Sequence, residues 1–218
     1  MKILMIRPIL PPIPPLPDIS ADNAMQLLSC TVFLLAVITT ALCISLYASK
    51  KWNGDKKKTA LAFIGISVAV ATLLLCFFGC AVSAVKGILL CFLLVFCSYS
   101  DIKSREVSDY LHVMILLTAF INCEISKIPQ MVLAAVLVTL PMLIIVILCK
   151  GKAIGGADVK LSAACAFMLG ITKGYVGLIV GLASGILVNI IIQMRKNKAE
   201  GFPLVPYLAA AYMAAYFI

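Results

Sequence analysis

Two aspartates stand out in a chain that offers carboxylates few places to sit. Asp158 follows Gly155-Gly156-Ala157 and opens an apolar run. Asp101 closes another, after Ser98-Tyr99-Ser100 and ahead of Ile102-Lys103-Ser104-Arg105-Glu106-Val107. A charge at the edge of a membrane helix is costly, so function is its default reading. Two carboxylates held close in a low-dielectric site do not ionise together easily, and one keeps its proton while the other stays charged. Such a pair activates water: the ionised member takes a proton as water attacks a carbonyl, and the protonated member polarises that carbonyl. This is aspartic protease chemistry. It requires no metal and no cofactor, and the sequence offers a metal no site. The competing reading is a small transporter using the same acids as ion-pair or proton-relay groups.

The remaining acids fit the role less well. Asp55 lies in a lysine-rich loop, Glu124 falls on the far side of the expected membrane, Glu200 is in a connector, and Asp18 and Asp22 precede the first apolar run. Glu106 and Asp109 are nearer competitors, placed in the loop or on the following segment. Lys103, Arg105 and Lys160 flank the pair. Their ordinary role is to anchor the chain to headgroups; the sharper one is to tune the acids or hold an acidic substrate residue. Gly155 and Gly156 allow close backbone approach just before Asp158.

The elements that position these residues follow from composition. Of 218 residues, 63% are hydrophobic and 12% charged, and the mean hydropathy is +1.13. That is well above the roughly half-apolar content of soluble domains. The apolar runs are continuous and of helix length, which fits membrane helices and not a transmembrane barrel. An all-α, polytopic membrane bundle of about eight transmembrane helices is expected, over approximately 25–48, 60–82, 84–100, 108–124, 130–149, 158–172, 174–194 and 203–218. The break at Thr172-Lys173-Gly174 is the weakest of these boundaries. Pro141 predicts a tolerated kink in the fifth segment. Gly177, Gly181 and Gly185 line one face of the seventh, a pattern for close helix packing.

Residues 1–24 form a proline-rich tail. Pro8, Pro11, Pro12, Pro14, Pro15 and Pro17 forbid a regular helix there and also rule out a standard signal peptide. A flexible arm is expected, or a true start at Met25; a proline-motif ligand is the remaining alternative. Residues 25–82 add two transmembrane helices around a short basic loop, and 83–218 hold the last six.

The net charge of +9 does not point to nucleic acid, because the basic residues sit in short loops between apolar runs. Alternating the segments with the loop after the first one inside places thirteen of the 18 Lys and Arg residues on the inner face. The positive-inside rule then predicts both termini outside and both aspartates at the cytoplasmic face, brought to the same depth by two intervening crossings. Nine cysteines include no Cys-x-x-Cys and all fall in or beside apolar runs, so they read as small packing residues. His112 is expected to pack at an interface, with a catalytic role as the alternative, and Trp52 to anchor at the membrane surface.

Asp101-Ile102-Lys103-Ser104-Arg105-Glu106-Val107-Ser108-Asp109-Tyr110-Leu111 resembles the first signature of the type IV prepilin peptidases: an Asp, a basic residue four on, then Ile/Val-Pro. Gly155-Gly156-Ala157-Asp158-Val159-Lys160-Leu161 is similar to their second, Gly-x-Gly-Asp-x-Lys. Gly201-Phe202-Pro203-Leu204-Val205-Pro206-Tyr207-Leu208-Ala209 resembles a Pro-Phe-Gly-Pro-Phe-Leu stretch common near their end. The resemblance spans 84–218 and implies a six-helix peptidase core with Asp101 and Asp158 as the catalytic pair. It further implies cleavage of the basic leader of prepilin-like precursors at the cytoplasmic face, typically after a glycine. Departures are Ala157 in place of the second motif glycine and Ser108 in place of proline, which leave room for an inactive structural relative. The two Cys-x-x-Cys pairs of long members are absent, and only Lys50 to Lys58 stand in their place. A short, peptidase-only member is therefore expected, like those serving Tad pili or archaeal flagellins, without zinc or methyl transfer. A related Gly-x-Gly-Asp protease that cuts inside membrane-spanning substrates is the alternative within this chemistry.

Overall fold

The computed structural model describes residues 21–52, 55–79, 81–149, 155–196 and 202–218. Among these it forms eight α-helices and no strand. They are α1 (Ala21–Lys51), α2 (Lys56–Phe78), α3 (Val82–Ser104), α4 (Asp109–Ala119), α5 (Ile128–Leu148), α6 (Gly156–Leu169), α7 (Ile171–Lys196) and α8 (Val205–Tyr216), with one 3-10 turn at Ile125–Lys127 before α5. Each apolar segment read from the sequence holds one helix. The expected proline-rich arm falls on residues 1–20, outside the described residues, but α1 begins at Ala21 and takes in the last part of that stretch. The break between the sixth and seventh segments lies earlier than Thr172, at Gly170. Its φ of +86° is open to glycine without strain.

Five helices are long and apolar enough to cross a membrane: α1, α2, α3, α5 with its 3-10 lead-in, and α7. The chain is thus a multi-pass membrane protein. The other three are shorter, with 11 residues in α4, 14 in α6 and 12 in α8. At 1.5 Å per residue they reach about 16–21 Å, less than the ~30 Å hydrocarbon core. Helix ends that stop short leave carbonyls with no helical partner. Here two lysines supply the donors. The Lys86 ammonium donates to the Ala119 carbonyl at 2.9 Å and to Ile121 at 3.4 Å, beyond the last turn of α4. The Lys173 ammonium donates to Tyr216 at 3.3 Å, at the end of α8. Both cations also suit the negative end of a helix dipole. These lysines therefore serve as helix caps as well as charges at the end of the bundle remote from Asp101.

Pro141 sets up a similar need within α5. Proline has no N–H, so the carbonyl one turn back, on Leu137, loses its helical donor. The Tyr175 hydroxyl of α7 donates to that carbonyl at 2.8 Å. The bond ties α7 to α5 at the point where α5 is weakest.

The core centres on α8. Val205, Leu208 and Tyr212 are fully buried, and α8 packs against α3, α6 and α7. The glycine face of α7 makes its approach possible. A methyl group added at Gly181 would lie 2.9 Å from Leu208 Cδ2 and 3.0 Å from its Cα, one at Gly185 would lie 2.6 Å from Leu204 Cδ1, and one at Gly177 would collide with the Tyr212 ring. The expected close packing is seen, and its partner is α8. Of the cysteines, Cys91, Cys97 and Cys165 pack in this core, whereas Cys43, Cys76 and Cys149 are exposed on the apolar outer surface. The Trp52 ring lies against Phe96 and Tyr99 at 5.5 and 5.6 Å, which fixes the end of α1 to α3.

Replacing Tyr175 by Phe leaves the Leu137 carbonyl unpaired at modest change of shape. The expected cost is about 1–3 kcal/mol, read as a lower melting temperature in detergent. Gly181→Leu forces α7 and α8 apart and is expected to lower it by at least as much, since overpacking costs about 1–3 kcal/mol.

Candidate active site

Asp101 sits in the last turn but one of α3 and is buried, with 8% of its surface exposed. The chain beyond it turns back sharply. Arg105 closes the helix in the left-handed region at φ 54°, and its N–H donates to the Asp101 carbonyl at 2.9 Å. A non-glycine residue there costs roughly 1–2 kcal/mol, and two serines hold the turn against it. The Ser100 hydroxyl donates to the Glu106 carbonyl at 2.6 Å, and the Ser104 hydroxyl to the Ser100 carbonyl at 2.8 Å. Nothing in the apolar pattern marks these serines. Their signal is their position, one helical turn apart around Asp101.

The Asp101 carboxylate has a partner from the far end of the chain. Its Oδ2 accepts the N–H of Val205 at 3.2 Å, at the first turn of α8. A helix N-terminus offers unpaired N–H groups and a positive dipole end, both suited to an anion. The stretch around Pro203 and Pro206, recognisable in sequence without a stated task, thus supplies the donor that meets Asp101.

Asp158 occupies the first turn of α6 and is likewise 8% exposed. Its Oδ2 accepts the Gly155 N–H at 3.2 Å, and its own N–H donates to the Gly155 carbonyl at 3.2 Å. A methyl group at Gly155 would press on that oxygen at 3.2 Å, while one at Gly156 meets nothing within 4 Å. Ala157 is an ordinary residue of the first turn of α6, where a helix needs no glycine. Burial foremost, then the charge of Asp101, pushes the Asp158 carboxyl up to about 6, against the lowering effect of the Gly155 N–H. The two carboxylates are near enough for one to bear on the ionisation of the other, the condition for a pair that shares one proton.

The flanking cations take different places. Arg105 is exposed, and its charge reaches Asp101. Lys103 is exposed with its ammonium 5.9 Å from the Tyr99 ring centre. Lys160 turns away from Asp158 and donates to Asp109 Oδ1 at 2.7 Å, across to the start of α4. That hydrogen bond, with the ammonium charge behind it, holds the Asp109 carboxyl below the usual carboxylate range. Asp109 is therefore engaged as an ion-pair partner. Ser108 stands at the N-cap position of α4 without a side-chain capping bond, at φ −67°, a backbone that proline would share. His112 packs at the α4–α6 interface, 5% exposed, with its ring beside the Ala157 and Asp109 backbone.

The model of the type IV leader peptidase family matches residues 88–194. No curated protein and no solved structure gives a significant match. The matched segment contains both aspartates, the serine-held turn and the Asp109–Lys160 pair; α8 lies beyond it. Peptidase activity is accordingly the readout for the site. Gly155→Ala is expected to lower the cleavage rate by about tenfold, equivalent to roughly 1.4 kcal/mol at the transition state, because it displaces the Asp158 carboxylate. Gly156→Ala is expected to cleave as the wild type does. Across residues 88–194, just under half of its length, this chain is similar to the type IV leader peptidase family.

Proposed function

We propose that the protein is a membrane-embedded aspartic endopeptidase that removes the basic leader from prepilin-like precursors, with Asp101 and Asp158 as its catalytic pair. The observation that carries this reading is that two buried carboxylates from separate helices lie near enough for the charge of Asp101 to bear on Asp158, each accepting a backbone N–H at a helix start. The family match supports peptidase chemistry. The burial supports the low dielectric in which such a pair keeps one proton.

In this reading one carboxylate is ionised and accepts a proton from water as the water oxygen bonds to the scissile carbonyl carbon. The protonated partner gives its proton to the carbonyl oxygen, and a neutral tetrahedral diol forms. Collapse breaks the C–N bond: the first carboxyl returns its proton to the leaving nitrogen, and a diol hydroxyl returns one to the second. The products are a carboxylic acid and an amine, and the pair regains its starting charge. The Val205 and Gly155 N–H groups orient the carboxylates and need no reorganisation during the reaction.

The excess of Lys and Arg in the loops on this side supports a site at the cytoplasmic face of the cell membrane. A leader joined to an apolar segment presents its cleavage bond at that depth. The partners are then prepilin-like precursors and the bilayer, and nucleic acid has no part. The short loop between α1 and α2, where long relatives carry a zinc-binding domain, supports peptidase activity alone.

Co-expression with a tagged prepilin-like precursor tests the reading through the size and new amino terminus of the product. The wild type should shorten the precursor. Asp101→Asn and Asp158→Asn should each reduce cleavage by at least about a thousandfold while the protein still accumulates in the membrane, as when one member of a catalytic unit is removed. Normal processing by either variant removes the assignment. Loss of proton-coupled transport without any cleavage product would favour a transporter.

A further inference from the structure

The two aspartates are carried by helices whose backbones do not approach each other closely. Among the described residues α3 and α6 make no close backbone approach, and both are joined through α4 and α8. The separation of the carboxylates is therefore set by how firmly these intermediaries hold the two helices. α8 holds Asp101 through the Val205 N–H. On the other side, α4 follows α3 after the short turn at 105–108 and reaches α6 through the 2.7 Å contact between Asp109 and Lys160.

We propose that Asp109 and Lys160 form a clamp that sets Asp158 against Asp101, with His112 as its buried base. They are positioning residues and do not touch the reacting atoms. Asp109 opens α4 and Lys160 lies just after Asp158 in α6, so their bond joins the two helix starts at the level of the site. A charge-assisted contact of this length fixes direction as well as distance. Below it, the His112 ring lies beside the Ala157 backbone, with Nδ1 4.0 Å from Asp109 Oδ1. Neither ring nitrogen completes a hydrogen bond of good geometry among the described residues, so the imidazole serves as a packed spacer under the Gly155–Asp158 turn.

Exposure separates this role from a merely structural one. Lys160 and Asp109 keep 57% and 73% of their side-chain surface exposed. Exposed ion pairs contribute little to stability, so breaking this one leaves the fold nearly unchanged. A catalytic group displaced by about 1 Å can cost on the order of a hundredfold in rate. The clamp is thus expected to act on turnover far more than on folding.

The inference rests on the peptidase reading, and a double-mutant cycle distinguishes the failure of either. Purified full-length wild type, Asp109→Asn, Lys160→Met and the double variant are reconstituted in liposomes with a synthetic prepilin-like precursor. Each single variant is expected to lower kcat by about tenfold with KM within about twofold of the wild type and an unchanged melting temperature. The double variant should be no slower than the worse single, because coupled residues do not add. Asp109→Glu with Lys160→Arg should recover most of the rate. Lys127→Met breaks an ion pair with Glu124 at the other end of the bundle and should leave kcat unchanged. Single variants at wild-type kcat, losses that multiply to about a hundredfold in the double, or a falling melting temperature alongside kcat each overturn the clamp. A wild type that cuts no precursor overturns the peptidase reading, and the clamp falls with it.

Discussion

The bond from the Val205 N–H to the Asp101 carboxylate joins the end of α3 to the start of α8, and much of the bundle serves to keep it in place. A buried carboxylate needs donors, and a helix start inside a membrane protein needs acceptors. Each group here meets the requirement of the other. The bond holds only if α8 sits deep in the bundle, which depends on Gly177, Gly181 and Gly185 clearing a path along α7 for Leu204, Leu208 and Tyr212. A side chain on that glycine face would act on the site from a distance, by moving the N–H that steadies Asp101.

The same demand shapes the rest of the architecture. Where water is excluded, every carbonyl left by a short helix or a proline needs a donor from a neighbour. Lys86 meets it for α4, Lys173 for α8, and Tyr175 for the carbonyl that Pro141 strands in α5. These contacts are also the ties between helices. In a medium as apolar as the side chains themselves, hydrophobic burial does little to drive helices together, and packing with hydrogen bonding takes its place. The short helices are a consequence of this arrangement, since their ends are completed by residues of longer ones.

At the site, the structure separates two kinds of charge. Asp101 and Asp158 are buried, and each meets a backbone N–H at a helix start. The cations around them are exposed, and the nearest ammonium in the second motif, on Lys160, is spent on Asp109. The pair is therefore steadied by oriented dipoles more than by neighbouring salt bridges. A dipole lowers the cost of the charged form without fixing the proton on one side. That suits a pair whose members must exchange roles as a proton arrives and leaves.

The continuous apolar runs determined the helices, because in lipid only a helix satisfies its own backbone, so hydropathy along the chain reads directly as structure. Asp101 and Asp158 were legible for the same reason: a carboxylate at the edge of an apolar run has few structural excuses. Gly177, Gly181 and Gly185 announced a packed face, but not that α8 would fill it. Helix length was less legible at 108–124, where the apolar run continues beyond α4 into turns and no residue type marks the change. Only the tertiary structure decided that Val205 meets Asp101, that Lys160 faces Asp109 instead of Asp158, and that Lys86 and Lys173 cap helices as well as carry charge. These are contacts between residues far apart in the chain. Hydropathy and spacing report what each segment can bury, whereas the partner of a polar group is settled only when the helices take their places beside one another.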